Sequence, residues 1–146
     1  MNIQSRQIIG DADGPHLLIT GGVHGDEFEP MAAIRRLVNE VTVDRLRGKL
    51  TLVPVANEAA FLHGARTAED GLDLARTCPG NADGSVTKRT AHALSEVIRA
   101  ADFFIDLHTG GMTMSVLPLA GYKLVPDEAV RDQQRRMAHA FNLPLV

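Results

Sequence analysis

Hydrophobic residues along the chain occur in short continuous runs, separated by longer stretches with a different spacing. Short apolar runs that are rich in β-branched residues and end at glycine or polar residues predict buried strands. The runs that fit this description are HLLIT at 16–20, KLTLVPVAN at 49–57, DFFIDLH at 102–108 and, interrupted by Pro118, MSVLPLAG at 114–121.

Between these runs, apolar residues recur at intervals of three and four, which is the spacing of one helical face. This spacing predicts helices over residues 28–41 and 85–101, and a last helix capped by Asp127. Alternating strands and helices are typical of an α/β domain with a mostly parallel or mixed sheet flanked by helices. We expect residues 1–146 to form a single such domain. Because NLPLV at 142–146 resembles the beginning of another strand, we expect the fold to be incomplete there and the chain to be the N-terminal portion of a longer domain.

One long segment lacks any periodic pattern. Residues 66–84, RTAEDGLDLARTCPGNADG, are rich in glycine, aspartate and asparagine. Loops of this length are uncommon in compact domains unless they serve a function. This loop is therefore a candidate part of a functional site.

Composition limits the classes of function. The 146 residues carry a formal net charge of -3, with 45% hydrophobic and 23% charged residues, which indicates an ordinary domain with its own core. The mild acidity gives no electrostatic reason to expect a nucleic acid or an anionic membrane as partner. A single cysteine, Cys78, rules out an internal disulfide, and neither a signal peptide nor a membrane span of about 20 apolar residues is visible. These features favour a cytoplasmic location.

Two histidines and a glutamate lie where predicted strands end. His24 and Glu27 follow the run at 16–20, and His108 closes the run at 102–108, each beside glycines. Ligands of open α/β sheets gather beyond the carboxyl ends of strands, which parallel strands bring to one side. Each residue alone is more often a surface or packing residue, but two imidazoles and one carboxylate form the ligand set of a catalytic zinc site. The remaining histidines lack this context and are interpreted as solvated or packing residues in turns or helices: His16, His63, His92 and His139.

Four motifs occur in a specific order. They are GGVHGDE, VANEAAFLHGAR, EDGLDLARTCPG and IDLHTGG, spread from about residue 17 to residue 111. In that order they resemble the motifs of the succinylglutamate desuccinylase/aspartoacylase family, which belongs to the zinc carboxypeptidase-like hydrolases. The resemblance implies that fold, with one zinc ion per chain held by His24, Glu27 and His108. Asp73 matches a family aspartate that hydrogen-bonds the first zinc histidine, although an Asx-turn is its alternative role. Asp106, on the same strand face as His108, is a weaker candidate for such a role.

Two arginines of the unpatterned loop match functional residues of the family, whereas composition alone would make both of them solvated. Arg66 matches the residue that polarises the scissile carbonyl and stabilises the oxyanion. Arg76 matches the residue that binds the substrate carboxylate with its planar fork. Ala75 departs from the family, which usually has an asparagine there, and one lost hydrogen bond to a charged group costs about 1.5–3 kcal/mol. Either the substrate differs or another residue compensates.

The resemblance implies zinc-dependent hydrolysis of the amide bond of a small-molecule N-acyl amino acid. The general base of the family is a glutamate well downstream of the third zinc ligand. That context is not matched by any of Glu58, Glu69, Glu96 or Glu128. Two alternatives remain open: a zinc carboxypeptidase that acts on peptides, and a metal- or ligand-binding module without catalysis. The sequence is compatible with an oligomer.

Overall fold

A four-stranded mixed sheet is the framework of the first unit of the structure, residues 2–114. The computed structural model describes residues 2–146, and residues 115–146 form a second unit. The strands are β1 (Arg6–Ile9), β2 (Ala12–Thr20), β3 (Arg47–Val53) and β4 (Phe103–Asp106). They lie in the order β1-β3-β2-β4, with β2 parallel to both β3 and β4 and β1 antiparallel to β3. The predicted α/β architecture with a mixed sheet is confirmed.

Three of these strands lie where the hydrophobic runs predict them. β2 begins earlier than predicted, at Ala12, and β3 ends earlier than predicted, at Val53. β1 was not predicted, because only Ile8 of its four residues is buried and so the strand has no apolar alternation.

Three helices belong to the first unit: α1 (Phe28–Glu40), α2 (Glu58–His63) and α3 (Val86–Arg99). α1 and α3 confirm the predicted helices, whereas α2 was not predicted because six residues are too short for a periodic signal. Local capping explains α2. The fully buried side chain of Asn57 accepts a hydrogen bond from the Ala60 N–H at 3.2 Å, and the helix ends at Gly64 with φ 60°. Asn57 thus serves as the N-cap of α2.

The helices cover both faces of the sheet. Leu18 and Val53 point toward α3, where they pack in a cluster with Leu94. The alternate strand positions Ile19 and Leu52 point to the opposite face and pack with Ile34 of α1. Burial of each such side chain contributes about 1.5–3 kcal/mol. The sheet is therefore held from both sides, and its strand ends are fixed in position.

The second unit contains one helix, α4 (Glu128–Ala140). Asp127 caps it as predicted, accepting hydrogen bonds from the N–H groups of Ala129 at 2.9 Å and Val130 at 3.1 Å. The strand predicted over 114–121 is wrong, since the only pairing described in that segment is an isolated bridge between Leu119 and Leu145. Pro118 has no N–H to donate to a sheet, which explains the failure. None of the helices within residues 2–146 has the length and apolar character needed to cross a membrane.

Candidate metal centre

His24 and Glu27 lie in the turn that joins β2 to α1. Both side chains are almost fully buried, and Nδ1 of His24 is 2.8 Å from Oε1 of Glu27. Glu27 occupies the N-cap position of α1, but its side chain makes no capping hydrogen bond. The carboxylate is thus directed away from the helix end and toward the imidazole.

His108 meets the same carboxylate from the other side. Its Nδ1 lies 3.0 Å from Oε2 of Glu27, and the N–H of Thr109 donates to that oxygen at 2.9 Å. One ligand atom from each of His24, Glu27 and His108 lies within 4.8 Å of the others. The ring of His108 is 35% exposed, so the cluster is open to solvent on one side.

The sheet brings these residues together. β2 and β4 are parallel neighbours, and their last residues, Thr20 and Asp106, are paired in register. His24 and His108 therefore both follow the carboxyl ends of adjacent strands, where ligand sites of open α/β sheets occur. The structure thus places the three predicted ligands together at the carboxyl ends of β2 and β4.

Two glycines allow close approach at this place. A Cβ atom on Gly25 would lie 2.1 Å from the carbonyl carbon of Ala60, so the turn after β2 contacts α2 backbone to backbone. Gly111 has φ +59° and faces the carboxylate of Asp26, whose Oδ2 would lie 2.6 Å from an added Cβ. Packing therefore requires a glycine at position 25, and the left-handed backbone conformation favours one at position 111.

The outer ring nitrogens of both histidines are held by aspartates. Nε2 of His24 lies 3.1 Å from Oδ1 of Asp73, which also accepts a hydrogen bond from the Ala75 N–H at 3.0 Å. Asp73 therefore performs both roles that the sequence offered, a local turn and a contact with the first histidine. Nε2 of His108 lies 2.6 Å from Oδ2 of Asp106, the aspartate that the sequence marked as the weaker candidate.

Both predicted arginines reach Asp73. Nη2 of Arg66 donates to Oδ2 of Asp73 at 3.0 Å, and Arg76 donates to the same oxygen. Nη1 of Arg66 also lies 3.8 Å from Oε1 of Glu27. The side chain of Arg76 is 75% exposed, against 48% for Arg66, so Arg76 is the freer of the two cations.

These contacts change the acidity of two site residues. Burial raises the pKa of Asp73, but hydrogen bonds from His24 and Arg66 outweigh it and lower that pKa to about 2. The hydrogen bond to Asp106 raises the pKa of His108 above its ordinary value, against the opposing effect of burial. Asp73 is thus firmly ionised near neutral pH.

The loop at 66–84 carries Arg66, Asp73 and Arg76, and it is fixed at both sides of Asp73. Asp70 accepts hydrogen bonds from Thr87 at the start of α3, from the hydroxyl at 2.7 Å and from the N–H at 3.0 Å. Leu74 is 1% exposed and belongs to the core cluster beneath α3. The loop contains one short 3-10 turn, Leu74–Arg76, and little other regular structure, as the sequence predicts.

The other histidines lie outside this cluster. His16 is a buried packing residue, which agrees with one of its two interpretations, and its Nε2 is 2.8 Å from the Thr51 hydroxyl. Its placement in a turn or helix is wrong, because it lies in β2. His63 and His139 are exposed, and His92 is half-buried in α3. Two contacts made by threonines were missed. Thr20 donates to Oδ1 of Asp106 at 2.5 Å, and the Thr109 N–H donates to Oε2 of Glu27 at 2.9 Å. Thr109 lies in the motif IDLHTGG, but a contact of the backbone N–H leaves no signal in the identity of the residue.

The donor set fits a divalent transition metal. Two imidazole nitrogens and a carboxylate are ligands that zinc accepts, and three protein ligands leave a coordination position open. Each imidazole has an aspartate on its other nitrogen, the arrangement that fixes the tautomer of a metal-binding histidine. The residues present are therefore suited to hold one zinc ion.

Comparison with known proteins supports the resemblance seen in the motifs. The family model for the succinylglutamate desuccinylase/aspartoacylase catalytic domain matches residues 13–146. N-alpha-acetyl-L-2,4-diaminobutyric acid deacetylase of Halomonas elongata is 37% identical over 142 residues, covering 94% of this chain and 41% of that protein.

Solved structures agree with this match. The succinylglutamate desuccinylase/aspartoacylase from Rhodobacter sphaeroides has a TM-score of 0.89 and 32% identity, covering 96% of this chain and 43% of that one. The product-bound ectoine utilization protein from Ruegeria pomeroyi has a TM-score of 0.88 and 34% identity, covering 97% and 44%. The chain thus spans about two-fifths of the length of these relatives.

Proposed function

Because the chain belongs to the succinylglutamate desuccinylase/aspartoacylase family, we propose that it holds the zinc ion of an enzyme that hydrolyses the amide bond of a small N-acyl amino acid. The convergence of His24 and His108 on the two oxygens of Glu27 is the observation that carries this proposal. The ligands of the proposal are these three residues, with one zinc ion per chain.

Zinc suits the local charge as well as the donor atoms. Three carboxylates, those of Glu27, Asp73 and Asp106, surround the two histidines, and the arginine contacts compensate chiefly Asp73. A divalent cation between His24 and His108 balances the remaining negative charge. When bound, zinc supplies Lewis acidity, which polarises a carbonyl and lowers the pKa of water to about 7.

The arginines have separate tasks in this proposal. Arg66 lies 3.8 Å from Glu27, so its guanidinium is near the position where the carbonyl oxygen of a substrate gains negative charge. Arg76 is the more exposed cation and has a planar fork that fits the carboxylate of an amino acid. Asp73 keeps both guanidinium groups in place before the substrate binds.

This pair of cations and the relatives support the proposed substrate class. The relative from Halomonas elongata is a deacetylase of an N-acetylated amino acid. A substrate of that class places an amide at the zinc and a carboxylate near Arg76. The general base belongs, in this proposal, to the part of the relatives that this chain does not span. We place the enzyme in the cytoplasm, in agreement with its single cysteine.

The first test is the zinc content of the purified chain. We expect one zinc per chain in the wild type, none in the double variant His24→Ala/His108→Ala, and one in the matched control His139→Ala, since His139 is an exposed residue of α4. Equal zinc in the wild type and the double variant would contradict the proposed ligands.

The second test measures hydrolysis by the full-length protein with acetyl and succinyl amino acids beside dipeptides. We expect turnover of an acyl amino acid that is lost with His108→Ala and on chelation. Faster turnover of dipeptides would favour a zinc carboxypeptidase instead. Zinc binding without any turnover would favour a binding module.

A further inference from the structure

The two histidines of the metal centre use their ring nitrogens in the same way. In both rings Nδ1 faces Glu27, at 2.8 Å for His24 and 3.0 Å for His108. In both rings Nε2 faces an aspartate, which is Asp73 for His24 and Asp106 for His108. The site therefore has two carboxylate–histidine pairs, one contributed by the loop at 66–84 and one by the sheet.

The pair within the sheet is fixed at its far end by Thr20. The hydroxyl of Thr20 donates to Oδ1 of Asp106 at 2.5 Å, which leaves Oδ2 for His108. Thr20 is fully buried, and it is the residue directly paired with Asp106 in the β2–β4 register. The N–H of Leu107 donates to the carbonyl oxygen of Thr20 at 2.9 Å, so the backbone is held at the same point.

We propose that Thr20 and Asp106 are positioning residues that direct Nδ1 of His108 toward the metal. Asp106 accepts a hydrogen bond from the Nε2–H of His108, and this favours the tautomer in which Nδ1 presents its lone pair to the ion. Thr20 prevents the carboxylate from rotating away. This inference rests on the proposed zinc site and adds two residues to it.

Asp106 differs from Asp73 in how its charge is shared. Asp73 also accepts hydrogen bonds from Arg66, Arg76 and the Ala75 N–H, and these donors stabilise part of its negative charge. Within residues 2–146, the Asp106 carboxylate has hydrogen bonds with Thr20 and His108. Asp106 therefore directs its charge chiefly to His108, and we expect its loss to affect the affinity for zinc at least as much as the loss of Asp73 does.

The experiment measures zinc affinity of the chain by competition with a chromophoric chelator. We expect Asp106→Ala to weaken zinc binding by about 10- to 100-fold. We expect Thr20→Val to weaken it by about three- to tenfold, because one hydroxyl hydrogen bond is lost, and Thr20→Ser to restore it. In ¹⁵N spectra of the zinc-loaded wild type, the proton of the His108 ring is on Nε2, and Asp106→Ala weakens that signature through faster exchange of this proton.

Thr51→Val is the matched control. Thr51 is a buried threonine of the adjacent strand β3, and its hydroxyl contacts a different histidine, His16, at 2.8 Å. Its replacement lowers thermal stability as Thr20→Val does, but leaves zinc affinity unchanged. If Asp106→Ala and Thr20→Val lower only thermal stability, like the control, the positioning role is wrong while the zinc site stands. If the wild type itself binds no zinc, the proposed site fails and this inference fails with it.

Discussion

Nδ1 of His108 lies 3.0 Å from Oε2 of Glu27, although 81 positions separate the two residues in the chain. The contact exists because β2 and β4 are parallel neighbours whose carboxyl ends coincide. Glu27 is nearly fully buried, so its carboxylate cannot rely on water and needs the two imidazoles and the Thr109 N–H as partners. The candidate metal centre therefore depends on sheet register, and changes to the packing that maintains this register are expected to alter its geometry.

Asp70 is expected to make stability depend on pH. Burial raises its pKa, but hydrogen bonds from Thr87 contribute to a larger opposite effect and lower it to about 2, from an ordinary value of 3.8. Because the folded-state pKa is depressed, the contribution of ionised Asp70 to the free energy of unfolding is fully present above pH values near the ordinary pKa and is lost as the pH falls toward 2. Asp70 is partly exposed, so solvent screening reduces this contribution, and we expect about 1–2 kcal/mol.

The test compares the thermal unfolding of the wild type with that of Asp70→Asn between about pH 2 and 6, a range that includes both pKa values of Asp70. The stability difference between them should be full above about pH 4.5 and should shrink toward pH 2. Asp83→Asn, an exposed residue of the same loop, is the control and should match the wild type throughout. A difference that stays constant with pH would contradict the prediction.

Gly25→Ala is expected to damage both the fold and the metal centre. The added Cβ would lie 2.1 Å from the carbonyl carbon of Ala60, and because that atom belongs to the backbone, the turn and α2 must separate. We expect a loss of about 1–3 kcal/mol or more in urea unfolding, together with weaker zinc binding. Gly121→Ala is the control, since the nearest atom there is 4.0 Å away. If Gly25→Ala were destabilised but bound zinc with unchanged affinity, the expected effect of this turn on the site would be contradicted.

Much of this site could be predicted from the sequence because its ligands follow strands that are easily recognised. The run at 16–20 and the run at 102–108 indicate β2 and β4, and a histidine at or after each end is visible in the printed sequence. Glu27 follows His24 at a spacing that a turn can close. The ordered motifs then identified the family, which the comparisons confirm.

The remaining contacts could not be predicted, for physical reasons. The partnership of Thr20 with Asp106 depends on strand register, which no local pattern reveals. The loop at 66–84 has no periodicity, so the sequence alone does not show that Leu74 is buried or that Asp70 contacts Thr87. Short elements such as β1 and α2 lack a periodic signal, and their formation depends on pairing and capping.

Leu74→Ala is expected to connect core stability with the loop. Leu74 is 1% exposed in the cluster with Leu18 and Leu94, and it directly follows Asp73. Truncation of a buried leucine costs about 2–5 kcal/mol. Because the same change loosens the 3-10 turn that begins after Asp73, we expect zinc affinity to fall as well. Leu62→Ala, at a position 75% exposed, is the control for both urea unfolding and zinc titration. If Leu74→Ala still bound zinc fully and with the affinity of the wild type, the position of Asp73 would not depend on the core.

The two arginines are expected to affect different kinetic constants of the full-length protein. Arg66 lies beside Glu27, where the proposed reaction develops an oxyanion, so Arg66→Ala should lower kcat by about 100- to 1000-fold. Arg76 is exposed and available to a substrate carboxylate, so Arg76→Ala should raise KM by about 10- to 100-fold with a smaller effect on kcat.

The control for this pair is Arg99→Ala, since Arg99 is an exposed residue of α3 that pairs with Glu96 away from the metal centre. Both kinetic constants should stay at their wild-type values in that variant. Each arginine variant leaves the other guanidinium on Oδ2 of Asp73, so the loop is expected to keep its conformation and circular dichroism its wild-type form. If Arg66→Ala raised only KM and Arg76→Ala lowered only kcat, the two assigned roles would have to be exchanged. If neither constant changed, the substrate would have to bind away from both cations.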